Sequence, residues 1–118
     1  LFMNIEIISI PVSNQERAGS FYEKIGFEKK KDNSFGEEMR WLEYSLCGET
    51  SITIVNWFPE MPPGSIHGLI LKVDDIEAKR IELIEKGVEI EPIFDTPWGR
   101  FANFSDPDGN GWSLRESA

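Results

Sequence analysis

The only histidine, His67, and the only cysteine, Cys47, set the first limit on chemistry. Cys47 precedes a glycine at an expected turn, in no recognisable Cys–His nucleophile arrangement, and one histidine offers little to activate it. A richer grouping is DPDGNGW, residues 106–112, where Asp106, Asp108, Asn110 and Gly111 occupy positions 1, 3, 5 and 6 of a calcium-binding loop. Position 12 of such a loop must be a bidentate carboxylate, but here it is Ser117, with Glu116 one residue early. Pro107 and Gly109 suit a chain reversal, so the stretch reads as a hairpin turn. In TPWGRF, Trp98 and Arg100 flank a glycine. An indole beside a guanidinium can stack on a planar or cationic ligand or pair with its carboxylate. Arg100 can equally pair with a surface acid. No Gly-rich phosphate loop or serine-centred nucleophile motif is present.

The chain must position these groups within 118 residues, the size of a single domain. Lys and Arg number 12 against 21 Asp and Glu, a formal charge of −9. A domain this acidic has no general attraction for phosphate backbones or anionic lipid, so neither nucleic acid nor a membrane is an expected partner. A small neutral or cationic ligand fits better. No apolar run approaches the ~20 residues of a membrane span. The start, LFMNIEIISI, lacks the basic region and small-residue cleavage site of a secretory signal. With one cysteine, a reducing, cytoplasmic setting is expected.

The apolar pattern supplies the elements. Residues 4–12, NIEIISIPV, read as a buried strand. A helix follows, capped by Ser13 or Asn14, with Ala18, Phe21, Tyr22 and Ile25 at helical spacing and Gly26 to end it. FEKKKDN, EMRWLEYSLCG and TSITIVNWF then read as three strands. PEMPPGS, residues 59–65, punctuates the chain, and the pattern restarts. IHGLILKV reads as a strand and residues 74–87 as a helix capped by Asp74 or Asp75. Ile76, Ile81, Leu83 and Ile84 are that helix's main apolar residues. VEIEPIF, GRFANFS and GWSLRE read as three further strands. At a shift of 61 residues Val12 falls on Val73, Glu16 on Glu77, Gly26 on Gly87 and Glu28 on Glu89. The expectation is one domain, 1–118, made of two repeats, about 3–58 and 66–116, joined by the proline-rich link.

That repeat, with IPVSNQERAGSFYEKIGFE in the first half and DPDGNGW in the second, resembles the vicinal oxygen chelate superfamily. Its members include glyoxalase I, extradiol dioxygenases, and the fosfomycin- and bleomycin-resistance proteins. The resemblance implies an α+β fold of two βαβββ modules in tandem. Together they would form an open, cup-shaped mixed sheet with helices on the outside. It also implies a homodimer, often with cups completed at the subunit interface. Metal-dependent members carry His or Glu ligands on four strands. Counted from the motifs, those positions fall on Ile7, Thr53, Gly68 and Ser113. Isoleucine and glycine offer no donor and neutral hydroxyls are weak ligands, so neither a metal nor another cofactor is expected. His67 lies one residue from a ligand position. On a strand that offset turns it to the opposite face, and it reads as a strand-start residue.

Strand alternation then nominates the cup lining: Ile5, Ile7 and Ser9 on the first strand, Thr53, Val55 and Trp57 on the fourth, and Ser113 and Arg115 on the last, with Gly68 at its ligand position and Trp98 and Arg100 near the rim. The function this suggests is metal-independent binding of an amphipathic or aromatic small molecule. The alternative is a lyase, isomerase or dioxygenase-like enzyme. A metal-free version would need a carboxylate base, and none falls on a predicted cup position.

Overall fold

A computed structural model describes residues 1–118. Its elements are β1 (Ile7–Pro11), α1 (Gln15–Ile25), β2 (Glu28–Phe35), β3 (Met39–Ser45), β4 (Ser51–Val55), β5 (Leu69–Lys72), α2 (Ile76–Glu85), β6 (Phe94–Thr96), β7 (Gly99–Ser105) and β8 (Gly111–Glu116). They form two βαβββ modules in tandem, each a four-stranded mixed sheet with one helix. The strand orders are β1-β4-β3-β2 and β5-β8-β7-β6, called here the first and second sheets. In each, the opening strand pairs parallel with the closing strand, and the remaining pairs are antiparallel. The eight strands do not close into a barrel.

Local chemistry sets the helices. The Asn14 side chain accepts the Arg17 N–H at 3.0 Å and Asp75 accepts the Ala78 N–H at 3.1 Å, so Asn14 and Asp75 are the caps. The stripe Ala18, Phe21, Tyr22 and Ile25 of α1 is buried as its spacing predicts. In α2 only Ile76 and Leu83 are buried, whereas Ile81 and Ile84 are exposed. This corrects the four-residue stripe: Ile81 lies about 140° from Ile76 around the helix, off the face that meets the sheet.

Three of the differences from the expected strand spans bear on the candidate residues and the second sheet. β4 stops at Val55, so Trp57 lies beyond it and the alternation extended to Trp57 does not apply. β5 begins at Leu69, leaving His67 and Gly68 in the preceding segment. VEIEPIF is not continuous. Ile90 bridges Phe104, Pro92 supplies no N–H to a ladder, and β6 proper covers only Phe94–Thr96.

Alternation along the strands places Ile8, Ile10, Ile52, Ile54, Leu42 and Tyr44 on the helix-facing side of the first sheet. Leu69, Leu71, Ala102, Phe104, Trp112 and Leu114 occupy the same side of the second. These sides do not form separate cores. Phe21, Tyr22 and Phe27 pack against Phe104 and Trp112 of the second module, with Tyr22 and Trp112 ring centroids 5.7 Å apart. One cluster of 19 buried hydrophobic residues runs through both modules. Since the helix-facing sides share this core, the opposite face of each sheet points away from it.

The DPDGNGW stretch is the turn between β7 and β8. Oδ1 of Asp106 accepts the backbone N–H groups of Asp108 and Asn110, both at 2.9 Å, and Gly109 takes φ 97°. Oδ2 accepts the Tyr22 hydroxyl at 2.7 Å and the Asn110 amide at 2.8 Å. Asn110 also donates to the Pro11 carbonyl at 2.8 Å and accepts the Ile66 N–H at 3.1 Å. The turn thus joins both modules and the link, and both Asp106 oxygens are spent on that task.

Candidate functional site

The open face of the first sheet is set by register. Ser9 pairs with Thr53 and Thr53 with Glu43, forming one row across β1, β4 and β3. Ser9 Oγ and Thr53 Oγ1 lie 3.2 Å apart. Glu43 is 3% exposed; its Oε1 accepts the Trp41 indole N–H at 3.0 Å and its Oε2 faces Lys30 Nζ at 3.5 Å. A register shift between Lys29 and Lys31 turns Lys30 toward the carboxylate. Burial pushes the Glu43 pKa up, but hydrogen bonds from Trp41, Ser51 and Lys30 outweigh it and hold the group below the ordinary glutamate value.

The second sheet repeats the row with different chemistry. Ile70 pairs with Ser113 and Ser113 with Asn103. Ser113 donates its hydroxyl to Asn103 Oδ1. Further along the same face, Phe94 stacks on Phe101 at 5.8 Å and the Arg115 guanidinium lies 6.0 Å from the Phe101 ring. Arg115 donates from Nε and Nη2 to the Trp98 carbonyl at 3.0 and 2.5 Å. This fixes the turn that presents the Trp98 indole, 73% exposed. Ile70 and Phe94 are also exposed, giving the face an apolar, aromatic character.

A cavity of about 780 Å³ opens at the end of this sheet, lined among others by Phe21, Lys24, His67, Gly68, Asn103 and Ser113. Gly68 and Ser113 therefore share one cavity. Ile7, Thr53 and Val55 lie on the first sheet and do not line it. Val55 is 1% exposed and Thr53 likewise 1%. Ile5 precedes β1 and is exposed; Trp57 lies against Phe58, ring centroids 6.0 Å apart.

Arg100 stands apart from Arg115. It pairs with Glu116 across β7 and β8 and contacts Glu77 at 3.0 Å, Asp95 at 3.1 Å and Glu116 at 3.7 Å. Its side of β7 is that of Ala102 and Phe104, the helix-facing side, because Arg100 and Phe101 are adjacent on the strand. His67 packs on Gly111, where a Cβ would meet its Nδ1 at 2.8 Å. Cys47 is exposed.

The four positions tied to metal ligation do not offer a donor set. Ile7 and Gly68 have none, Thr53 is engaged with Ser9, and Ser113 with Asn103. No group of three or more His, Cys, Asp or Glu side chains is placed to hold an ion. These residues do not fit a divalent metal.

Glu43 and Asn103 are the site residues that sequence reading passed over. Both were open to it in principle. Glu43 alternates with the buried Leu42 and Tyr44, and a 60-residue shift carries Thr53 to Ser113 and Glu43 to Asn103. The Lys30 contact depends on a bulge and left no mark in the sequence.

The model of the Glyoxalase/Bleomycin resistance protein/Dioxygenase superfamily matches residues 4–114. The Bacillus subtilis (strain 168) protein YetH is 32% identical over 124 residues, spanning 98% of this chain and 100% of that protein. Among solved structures, TnmS3, an antibiotic binding protein from Streptomyces sp. CB03234, superposes with TM-score 0.93. Its identity is 44%, covering 99% of this chain and 98% of that one. A Sphaerobacter thermophilus DSM 20745 member of the superfamily gives TM-score 0.88 at 33% identity, with 98% of each chain covered. With the tandem βαβββ modules and the DPDG turn, these matches establish that the chain belongs to the glyoxalase/bleomycin resistance protein/dioxygenase superfamily.

Proposed function

We propose that this protein binds an amphipathic or aromatic small molecule on its open sheet faces without a metal ion. One observation carries the reading. Where metal chemistry would need donors, the chain has Ile7, Thr53, Gly68 and Ser113, while the second sheet's open face offers Phe94, Phe101, Arg115 and Trp98. Such a surface recognises shape and a few polar atoms. The 44% identity to a protein described as antibiotic binding supports the same class of activity.

The working form is a homodimer. The two open faces point away from the shared core, so a second copy is needed to bring one face opposite the other and enclose a ligand. The exposed single thiol of Cys47 supports a reducing, cytoplasmic setting, and no helix is long and apolar enough to cross a membrane.

The enzyme reading gains a candidate base in Glu43 but loses by its environment. A carboxylate held below its ordinary pKa by three donors is a weak proton acceptor at neutral pH. Thermal-shift screening of organic compounds with parallel elemental analysis tests the proposal. Stabilising hits on metal-free protein are expected; stoichiometric zinc, nickel, iron or manganese with catalytic turnover would reject it.

A further inference from the structure

The two equivalent rows differ in what they leave unpaired. In the first sheet the row is closed on itself: Ser9 meets Thr53, and both Glu43 oxygens are engaged by Trp41 and Lys30. In the second sheet Ile70 replaces the first hydroxyl and cannot pair with Ser113. Ser113 instead donates across the row to Asn103 Oδ1. That contact fixes the carboxamide plane and leaves the Asn103 Nδ2 group without a partner in the chain. Asn103 is half-buried and lines the 780 Å³ cavity with Ser113, His67 and Gly68. A carboxamide nitrogen carries two N–H donors and no acceptor.

We infer that Asn103, oriented by Ser113, is the specificity-determining residue of the site and selects ligands bearing a carbonyl-type acceptor oxygen. The inference rests on the small-molecule reading of the open faces and names what that site recognises. A neutral N–H₂ held by a hydroxyl contributes through a ketone, ester, amide or carboxylate oxygen, and offers nothing to a protonated amine. A hydrocarbon of the same shape gains only apolar contact and leaves the amide desolvated, so it binds more weakly. The stacked Phe94–Phe101 pair lies on the same face, two residues along β7, where an aromatic body attached to that carbonyl would rest.

The test uses 2-acetylnaphthalene and its oxygen-free analogue 2-isopropenylnaphthalene, titrated into ¹⁵N-labelled full-length protein and followed by NMR. The ketone is expected to shift the Asn103 side-chain NH₂ pair and to bind about fivefold more tightly than the hydrocarbon, one hydrogen bond's worth. In Asn103→Leu, whose backbone spectrum checks the fold, the two affinities should converge. Ser113→Ala should reduce the preference by releasing the amide. Equal affinities on the wild-type protein, or a preference kept by Asn103→Leu, would overturn this inference alone. Neither compound perturbing any open-face amide would overturn the small-molecule reading and this inference with it.

Discussion

The Tyr22 hydroxyl donates to Oδ2 of Asp106 at 2.7 Å, tying the helix of the first module to the turn of the second across 84 residues of sequence. Tyr22 also accepts the Trp112 indole N–H at 3.0 Å. Burial first, and the Asp106 carboxylate next, push the phenol pKa far up, so the donor keeps its proton throughout the working range. Tyr22→Phe would leave both a buried carboxylate oxygen and an indole N–H short of a partner. A loss of about 1.5–3 kcal/mol is expected from urea unfolding, the range for a hydrogen bond to a charged group. Tyr44→Phe, which loses only a half-buried bond to Glu23, should cost less.

The link makes a second demand on the same turn. Gly64 has φ 79°, and a Cβ there would lie 2.1 Å from the Asp108 carbonyl oxygen. Gly64→Ala must therefore move backbone, and a cost above about 2 kcal/mol is expected. Gly26→Ala meets no neighbour and should cost only the left-handed strain, about 1–2 kcal/mol. Thermal denaturation of the two variants checks the order.

Glu43 gives a pH dependence of known sign. Its folded pKa lies below the ordinary 4.5, so its ionised contacts contribute stability in full above that value. The contribution is lost as pH falls through the lower folded pKa. Glu43→Gln removes it, so the stability gap between wild type and variant should be constant near neutrality and shrink below about pH 4.5. Urea midpoints measured from pH 7 to pH 3 test this; a gap that widens on acidification would reverse the assigned sign.

Trp98 separates binding from stability. Its indole is 73% exposed, while its carbonyl, not its side chain, anchors Arg115. Trp98→Ala should change folding stability by no more than about 0.5 kcal/mol. It should nevertheless weaken 2-acetylnaphthalene binding, as isothermal titration would show.

The residues explain how much could be read without coordinates. The α1 stripe, its Gly26 ending and the DPDGNGW turn were legible because each depends on neighbours a few residues away. So was the tandem repeat, since both modules solve the same packing problem. Ile81 and Ile84 misled because their apolar character says nothing of which helix face meets the sheet. Trp57 was misplaced by a strand end set two residues before it. Arg100 lies on a strand of the expected span, but alternation with Phe101 turns it to the helix-facing side. The pairing of Asn103 with Ser113 was missed for another reason. It depends on cross-strand register, which sequence alternation within a single strand does not fix.

The central claim is that the open faces hold an organic ligand with no metal. Heteronuclear NMR of EDTA-treated protein against a library of small aromatic compounds tests it most directly. The account predicts hits whose shifts map to Phe101, Asn103, Ser113 and Trp98 and persist at full strength in EDTA. Binding that appears only after adding a divalent ion, or no hits at these residues, would contradict it.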